Sequence, residues 1–268
     1  MRNKISNFLV ALTGFLFLIC GSVVLTQNCR ELYYRDMRNL QLSEELGLSE
    51  ATIQAHYDTL IDYNLVTKGI DTLEFPTFPM SEHGRIHFEE VKQIFVGMQY
   101  LFVITGILFL MCLIWKLCRK EYKCLKLLSI LTFVVPTVLG LLIGVCWDQV
   151  FVLFHKIFFN NDYWLFDPMT DPVILILPDA FFAHCAIMIL GIVVLGGLLS
   201  LTGYLMLEGH KRKARDISRS TGRRSRTDGR NQSKRYNEKY TRHAYTKRRK
   251  PKDGEMEVIY EYRKDSTV

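Results

Sequence analysis

The sequence predicts an all-α membrane protein: four transmembrane helices, both termini in the cytoplasm, an extracytoplasmic helical roof and a disordered basic cytoplasmic tail. Three observations carry this expectation. Four apolar blocks, at 8–26, 94–115, 125–147 and 182–207, are free of Asp, Glu, Lys and Arg apart from Lys126 at the edge of the third. Each can cross ~30 Å of hydrocarbon at ~1.5 Å per residue. Basic residues collect at alternate block ends, and the segments between blocks differ sharply in charge. A soluble chain of 268 residues could not wrap four such stretches in a water-exposed shell.

The first block follows Arg2 and Lys4. A signal peptide begins the same way, but this apolar run is longer than an ordinary h-region. No small-x-small cleavage pattern follows at Thr26-Gln27-Asn28, so an uncleaved anchor is expected. The linker between the second and third blocks carries Lys116, Arg119, Lys120, Lys123 and Lys126 against Glu121 alone, which places it in the cytoplasm. Arg2 and Lys4 place the N-terminus there too, and Lys211, Arg212, Lys213 and Arg215 the C-terminus. Segments 27–93 and 148–181 then face outward.

Segment 27–93 is acidic, with six Lys and Arg against twelve Asp and Glu, whereas 208–268 is basic, with twenty against nine. Seven cysteines are scattered: Cys20, Cys112, Cys146 and Cys185 at spans, Cys118 and Cys124 on the inner linker, Cys29 outside. No disulfide framework or zinc spacing emerges, and all seven are expected as thiols.

Within the outer region, Ile53, Tyr57, Leu60, Ile61 and Leu65 recur at helical spacing, with Ser49 as N-cap and Gly69 as stop. Pro76 and Pro79 break the chain, and Ser81 caps a helix that runs through His87 and Val91 into the second span. His87 should stand about two turns above the membrane. From Trp147 to Phe159, the residues Trp147, Val150, Phe151, Phe154, Ile157 and Phe158 form one stripe, while Asp148, Gln149, His155 and Lys156 lie off it. That pattern fits a helix lying in the membrane interface, with His155 at headgroup depth. Pro168, Pro172 and Pro178 then punctuate the chain around the short apolar run Val173 to Leu177.

Beyond Glu208 the chain is rich in Arg, Lys, Ser, Thr, Gly and Asn, and disorder is expected over 208–268. The tail could attract anionic inner-leaflet lipids. Tyr236, Tyr240 and Tyr245 could stack on bases, but no nucleic-acid partner is expected. The plainest reading is a solvated segment that fixes topology.

No G-x-S-x-G, P-loop, G-x-G-x-x-G or H-E-x-x-H occurs, and no cofactor is expected. The polar residues of the outer face remain. His83 and His87, four apart, share a helix face, but beyond Glu90 no third ligand offers itself, so no metal site is assigned. His184 at the start of the fourth block is read as structural, since polar groups at span ends are inexpensive.

The run from Pro79 to Lys92, with Ser81, His83, Arg85, His87, Glu89, Glu90 and Val91, resembles a signature of the lipoprotein intramolecular transacylases, Lit. The run from Phe154 to Trp164, with Phe166, Asp167, Pro168 and Asp171, is similar to that family's second motif, and a helix of the Tyr57…Tyr63 type precedes both. The likeness spans about 1–207 and leaves out the tail; Glu90 stands where the pattern has Asp before Val. It implies transfer of the sn-2 acyl chain of a diacylglyceryl-modified lipoprotein to the α-amine of its N-terminal cysteine, giving the lyso form, with His87 and His155 catalytic. Ser81, Arg85, Tyr57, Tyr63, Trp164 and Asp171 are the expected substrate-binding residues.

That chemistry suits the residues. An α-amine of pKa ~7.7–8.0 must lose a proton to attack an ester, and imidazole is a suitable base. Donor and acceptor belong to one substrate, so no enzyme nucleophile is required. His87 is expected as base, oriented by Glu89 or Glu90, with His155 as partner, and Arg85, Ser81 or backbone N–H groups facing the oxyanion. The rival reading is a non-enzymatic receptor, scaffold or assembly factor, which loss of the tail would cripple. A transporter fits less well, because no span carries a midplane charge.

Overall fold

A computed structural model of the chain describes residues 2–244, 248–249 and 258–259. Among the described residues eight α-helices follow in order: α1 (Arg2–Asn28), α2 (Arg30–Asn39), α3 (Leu42–Leu46), α4 (Glu50–Tyr63), α5 (Glu82–Cys118), α6 (Lys123–Val145), α7 (Trp147–Phe158) and α8 (Asp179–Ala244). Helices α1, α5, α6 and α8 each contain a stretch long and apolar enough to cross a membrane. They coincide with the four apolar blocks. Their outer surfaces carry exposed Val103, Ile107, Leu110, Val138 and Leu199, as helices that face hydrocarbon require.

The chain divides into two compact units, Met1–Leu207 and Glu208–Val268. In the first, α1 and α5 pack by exchanging rings for glycines. Phe17 lies where a Cβ on Gly106 would stand, 2.9 Å away, and Phe109 takes the corresponding place at Gly14, 2.5 Å away. Small residues let the two backbones approach, which is the main source of helix association in lipid. Phe17 also stacks on Phe102, centroids 5.2 Å apart. Val10, Ala11, Phe109, Cys124, Leu125 and Leu128 close one end of the bundle. All seven cysteines are free thiols.

A second core, the cap, is built by α2, α3, α4, the connections around them and the start of α8. It holds Tyr33, Met37, Ile53, Tyr57, Tyr63, Phe88, Val173, Ile176 and Phe181. Tyr33 stacks flat on Tyr57 with centroids 3.7 Å apart, and its hydroxyl donates to the Ile176 carbonyl at 2.8 Å. Arg30 ties α2 to α4 through Asp58 and Asp62. Helix α4 begins as its sequence dictates, with Ser49 Oγ accepting the Thr52 N–H at 3.1 Å. The helices α2 and α3 were not among the expected elements, because their charged residues interrupt the apolar period.

The second unit departs from the expected disorder. Helix α8 continues through the basic segment to Ala244. Arg, Lys, Glu, Gln and Ala are good helix formers, and the segment contains no proline to stop the growing helix. Arg248–Arg249 and Val258–Ile259 form a two-residue antiparallel pair. The remainder of the expected disordered tail lies outside the described residues.

Candidate active site

The first turns of α5 precede the apolar block that starts at residue 94 and so stand outside the span. Ser81 Oγ accepts the Gly84 N–H at 2.9 Å and caps the helix. The buried Asp171 Oδ1 accepts the Ser81 N–H at 2.7 Å, while its Oδ2 takes the Thr170 hydroxyl at 2.7 Å. A carboxylate here complements the positive end of α5. A Cβ on residue 84 would meet Asp171 Oδ1 at 2.2 Å, so Gly84 is what admits the carboxylate. This clasp sets the angle at which α5 presents its next turn.

That turn carries His87, only 5% exposed. Opposite it, α7 carries His155, and the two imidazole centroids are 6.2 Å apart. Phe159 and Phe166 wall His87 at 4.7 and 5.3 Å, and Phe151 and Trp164 wall His155 at 4.3 and 4.6 Å. The loop holding Phe159, Trp164 and Phe166 is tied to α5 by Asn161. Its amide donates to Glu90 at 2.9 and 3.2 Å, and its carbonyl accepts the Tyr163 N–H at 3.1 Å.

Burial, and then the charge of His155, hold the His87 pKa down at about 4. Burial also lowers His155, partly opposed by its bond to the Phe151 carbonyl. Both rings are therefore neutral at neutral pH. His155 Nδ1 lies 2.8 Å from the Phe151 carbonyl oxygen. A carbonyl only accepts, so Nδ1 carries the hydrogen and Nε2 keeps its lone pair. His87 Nδ1 and Trp164 Nε1 are buried with no partner inside the protein. Leaving such groups unmet costs about 1–3 kcal/mol each, a cost that a bound polar substrate removes.

The structure brings His87, His155 and Trp164 together and sets Ser81 and Asp171 one turn away as the clasp. Arg85 lies apart: it is exposed and held by Glu82 and Glu89, an arrangement that occupies its guanidinium. Tyr57 and Tyr63 are cap-core residues, Tyr57 against Tyr33 and Phe181, and Tyr63 beneath the Lys92 ammonium at 4.2 Å. Neither Glu89 nor Glu90 orients His87, since Glu89 pairs with Arg85 and Glu90 with Asn161. His83 stacks on Tyr163 at 4.2 Å, and His184 Nδ1 meets Asp36 at 2.9 Å. Among the described residues no three His, Cys, Asp or Glu gather as metal ligands. Sequence reasoning counted Phe159, Asn161 and Phe166 in the second motif but gave them no role in the site; the density of aromatic residues over 151–166 was the signal available.

The family described as lipoprotein intramolecular transacylase Lit matches residues 8–182. The chain is also similar to a solved structure of the membrane integral lipoprotein intramolecular transacylase Lit from Bacillus cereus. The identity is 34% and the TM-score 0.76, over 79% of this chain and 98% of that one. Two structures of the same Bacillus cereus protein, one with a histidine replaced by arginine and one by alanine, match at 34% identity and TM-score 0.72. They cover 80% and 79% of this chain and 95% and 96% of theirs, respectively. No curated protein sequence matches.

Proposed function

The chain belongs to the lipoprotein intramolecular transacylase family, Lit, and we propose that it moves the sn-2 acyl chain of a diacylglyceryl lipoprotein to the α-amine of that lipoprotein's N-terminal cysteine. It is a multi-pass membrane enzyme of intramolecular acyl transfer in lipoproteins. The product of the proposed transfer is the lyso-form lipoprotein.

The observation that carries the proposed roles is the pairing of two neutral imidazoles, 6.2 Å apart, in an aromatic pocket. The base in this reading is His155 and not the expected His87, because the Nδ1 hydrogen of His155 is committed to Phe151 and its Nε2 is free to accept. The amine nitrogen bonds to the ester carbonyl carbon, and one amine proton passes to His155 Nε2. The bond from that carbon to the glycerol oxygen then breaks, and the proton that His155 took from the amine passes to the departing oxygen, which leaves both rings neutral; His87, neutral throughout, hydrogen-bonds to the reacting ester and holds it in line. The unpartnered Trp164 N–H is a suitable donor to the carbonyl oxygen as it gains charge. Amine and ester arrive on one molecule, so positioning supplies much of the acceleration.

We place the pocket at the extracytoplasmic face, with both termini inside, a reading supported by the basic residues flanking the spans. Residues 1–207 form the membrane domain with outer segments 27–93 and 148–181, and 208–268 form a tail that contacts anionic inner-leaflet lipids. Ser81 and Asp171 shape the site by holding α5, while Arg85, Tyr57 and Tyr63 act from outside the pocket.

The test is mass spectrometry of the N-terminal peptide of a lipoprotein co-expressed with this chain in a bacterium lacking other N-acylating enzymes. The expected product has unchanged mass with one acyl chain on the amine. An unaltered diacylglyceryl peptide beside well-expressed protein overturns the reading.

A further inference from the structure

The solved relative is covered over 98% of its length by 79% of this chain, so acyl transfer leaves the basic tail unexplained. Over 208–237, seven of the eleven Lys and Arg of α8 share one side of the helix, while Lys211, Lys213, Arg224 and Arg235 lie off it. At ~100° per residue, Arg212, Arg215, Arg219, Arg223, Arg226, Arg230 and Lys234 fall within a sector of about 120°, repeating three and four residues apart. All seven are exposed. The row runs ~33 Å along the helix without drifting round it. Two acids share the sector, Glu208, which pairs with Arg212 at 3.8 Å, and Asp216.

Such a row opposes the helix that bears it, because like charges at i and i+4 destabilise it; Arg215 and Arg219, Arg219 and Arg223, Arg226 and Arg230, and Arg230 and Lys234 are four such pairs. An anionic surface removes the repulsion. The opposite side of the helix holds the positions of Ser218, Thr221, Arg224, Asp228, Gln232 and Arg235, with Ile217 as its one large aliphatic residue, so the helix has no apolar side to bury in lipid. Tyr236 is the single aromatic residue in 208–237, too few for a stacking platform for single-stranded nucleic acid. A straight row of guanidinium groups suits a flat field of phosphates, which Arg engages bidentately. A run of cations directly after a span is already held beside such a field.

We propose that α8 bends just past its span, at Gly209, and docks the Arg212–Lys234 face on the anionic phospholipid surface of the leaflet from which it emerges. The inference deepens the lipid-contacting reading of the tail and does not depend on the transacylase reading. Full-length protein in proteoliposomes of phosphatidylcholine alone, or with phosphatidylglycerol added, is treated with trypsin, and cleavage within 212–235 is followed by mass spectrometry. Cleavage should slow about tenfold with phosphatidylglycerol, and ~1 M salt, which shortens the screening length to ~3 Å, should restore it. A second variant exchanges Arg219 with Ser218, Arg223 with Thr221 and Arg230 with Gln232, keeping composition and charge while turning three cations off the row. It should lose the protection and retain acyl transfer, which shows that it is folded. Equal protection of the exchanged variant, no effect of phosphatidylglycerol, or protection conferred by added RNA in its place would each overturn the proposal.

Discussion

A base that takes a proton from an amine near neutral pH has to be unprotonated there, and burial secures this for His155 and His87. Replacing either by Ala is expected to lower acyl transfer by about 10²–10⁴-fold, the range of general acid and base catalysis, at unchanged expression. The pH profile follows from the same burial. Both pKa values are depressed, so each ring stays neutral as pH falls through 6.5 and gains its proton only below that value. Between about pH 7.5 and 6 the logarithm of kcat/KM should fall with a single unit of slope, from protonation of the substrate amine of pKa ~7.7–8.0. An unperturbed histidine would steepen the fall already below ~6.5. Arg85 gives the contrast: its guanidinium is exposed and occupied by Glu82 and Glu89. Arg85→Ala should therefore keep activity within about threefold, because exposed ion pairs contribute little.

At the scale of elements, the site depends on how α5, α7 and the loop between Phe159 and Phe166 are held together. Gly84→Ala tests the clasp, because its Cβ would collide with Asp171 Oδ1 at 2.2 Å and drive the carboxylate off the Ser81 N–H. The buried groups left unpaired cost about 1–3 kcal/mol. Thermal unfolding in detergent should therefore move to lower temperature, with activity falling in step as α5 shifts. Glu90→Ala removes the acceptor of Asn161 and frees the loop that carries Trp164 and Phe166. It should reduce kcat more than it changes the melting temperature, because it disturbs alignment more than packing. These elements differed in how plainly their sequences announced them. The caps at Ser49 and Ser81 and the helix starting at Trp147 were legible, because capping and periodicity are local. Helices α2 and α3 were hidden, since their inward residues Tyr33, Met37 and Leu42 are separated by charges that pair across the cap or face solvent.

For the molecule as a whole, acyl transfer should survive deletion of 208–268, as measured by the lyso-form product. The relative covered over 98% of its length matches only 79% of this chain, and the proposed catalytic pair lies in the Met1–Leu207 unit. Four charge-poor blocks were sufficient to predict four spans, because the cost of burying charge and unbonded backbone in hydrocarbon admits no other use for them. The two histidines could likewise be singled out before any coordinates, from their residue type and their surrounding motifs. Their meeting could not be derived that way, because they stand 68 positions apart with the whole of α6 between them and their approach depends on how α7 lies across α5. Which carboxylate serves which partner was equally closed to the sequence. Glu90 stands three residues from His87 yet serves Asn161, and Asp171, eighty-four residues from His87, clasps the turn before it. Local periodicity and solvation energy specify elements and their medium, whereas hydrogen-bond partners and the neutral state of a buried ring arise only when distant segments exclude water together.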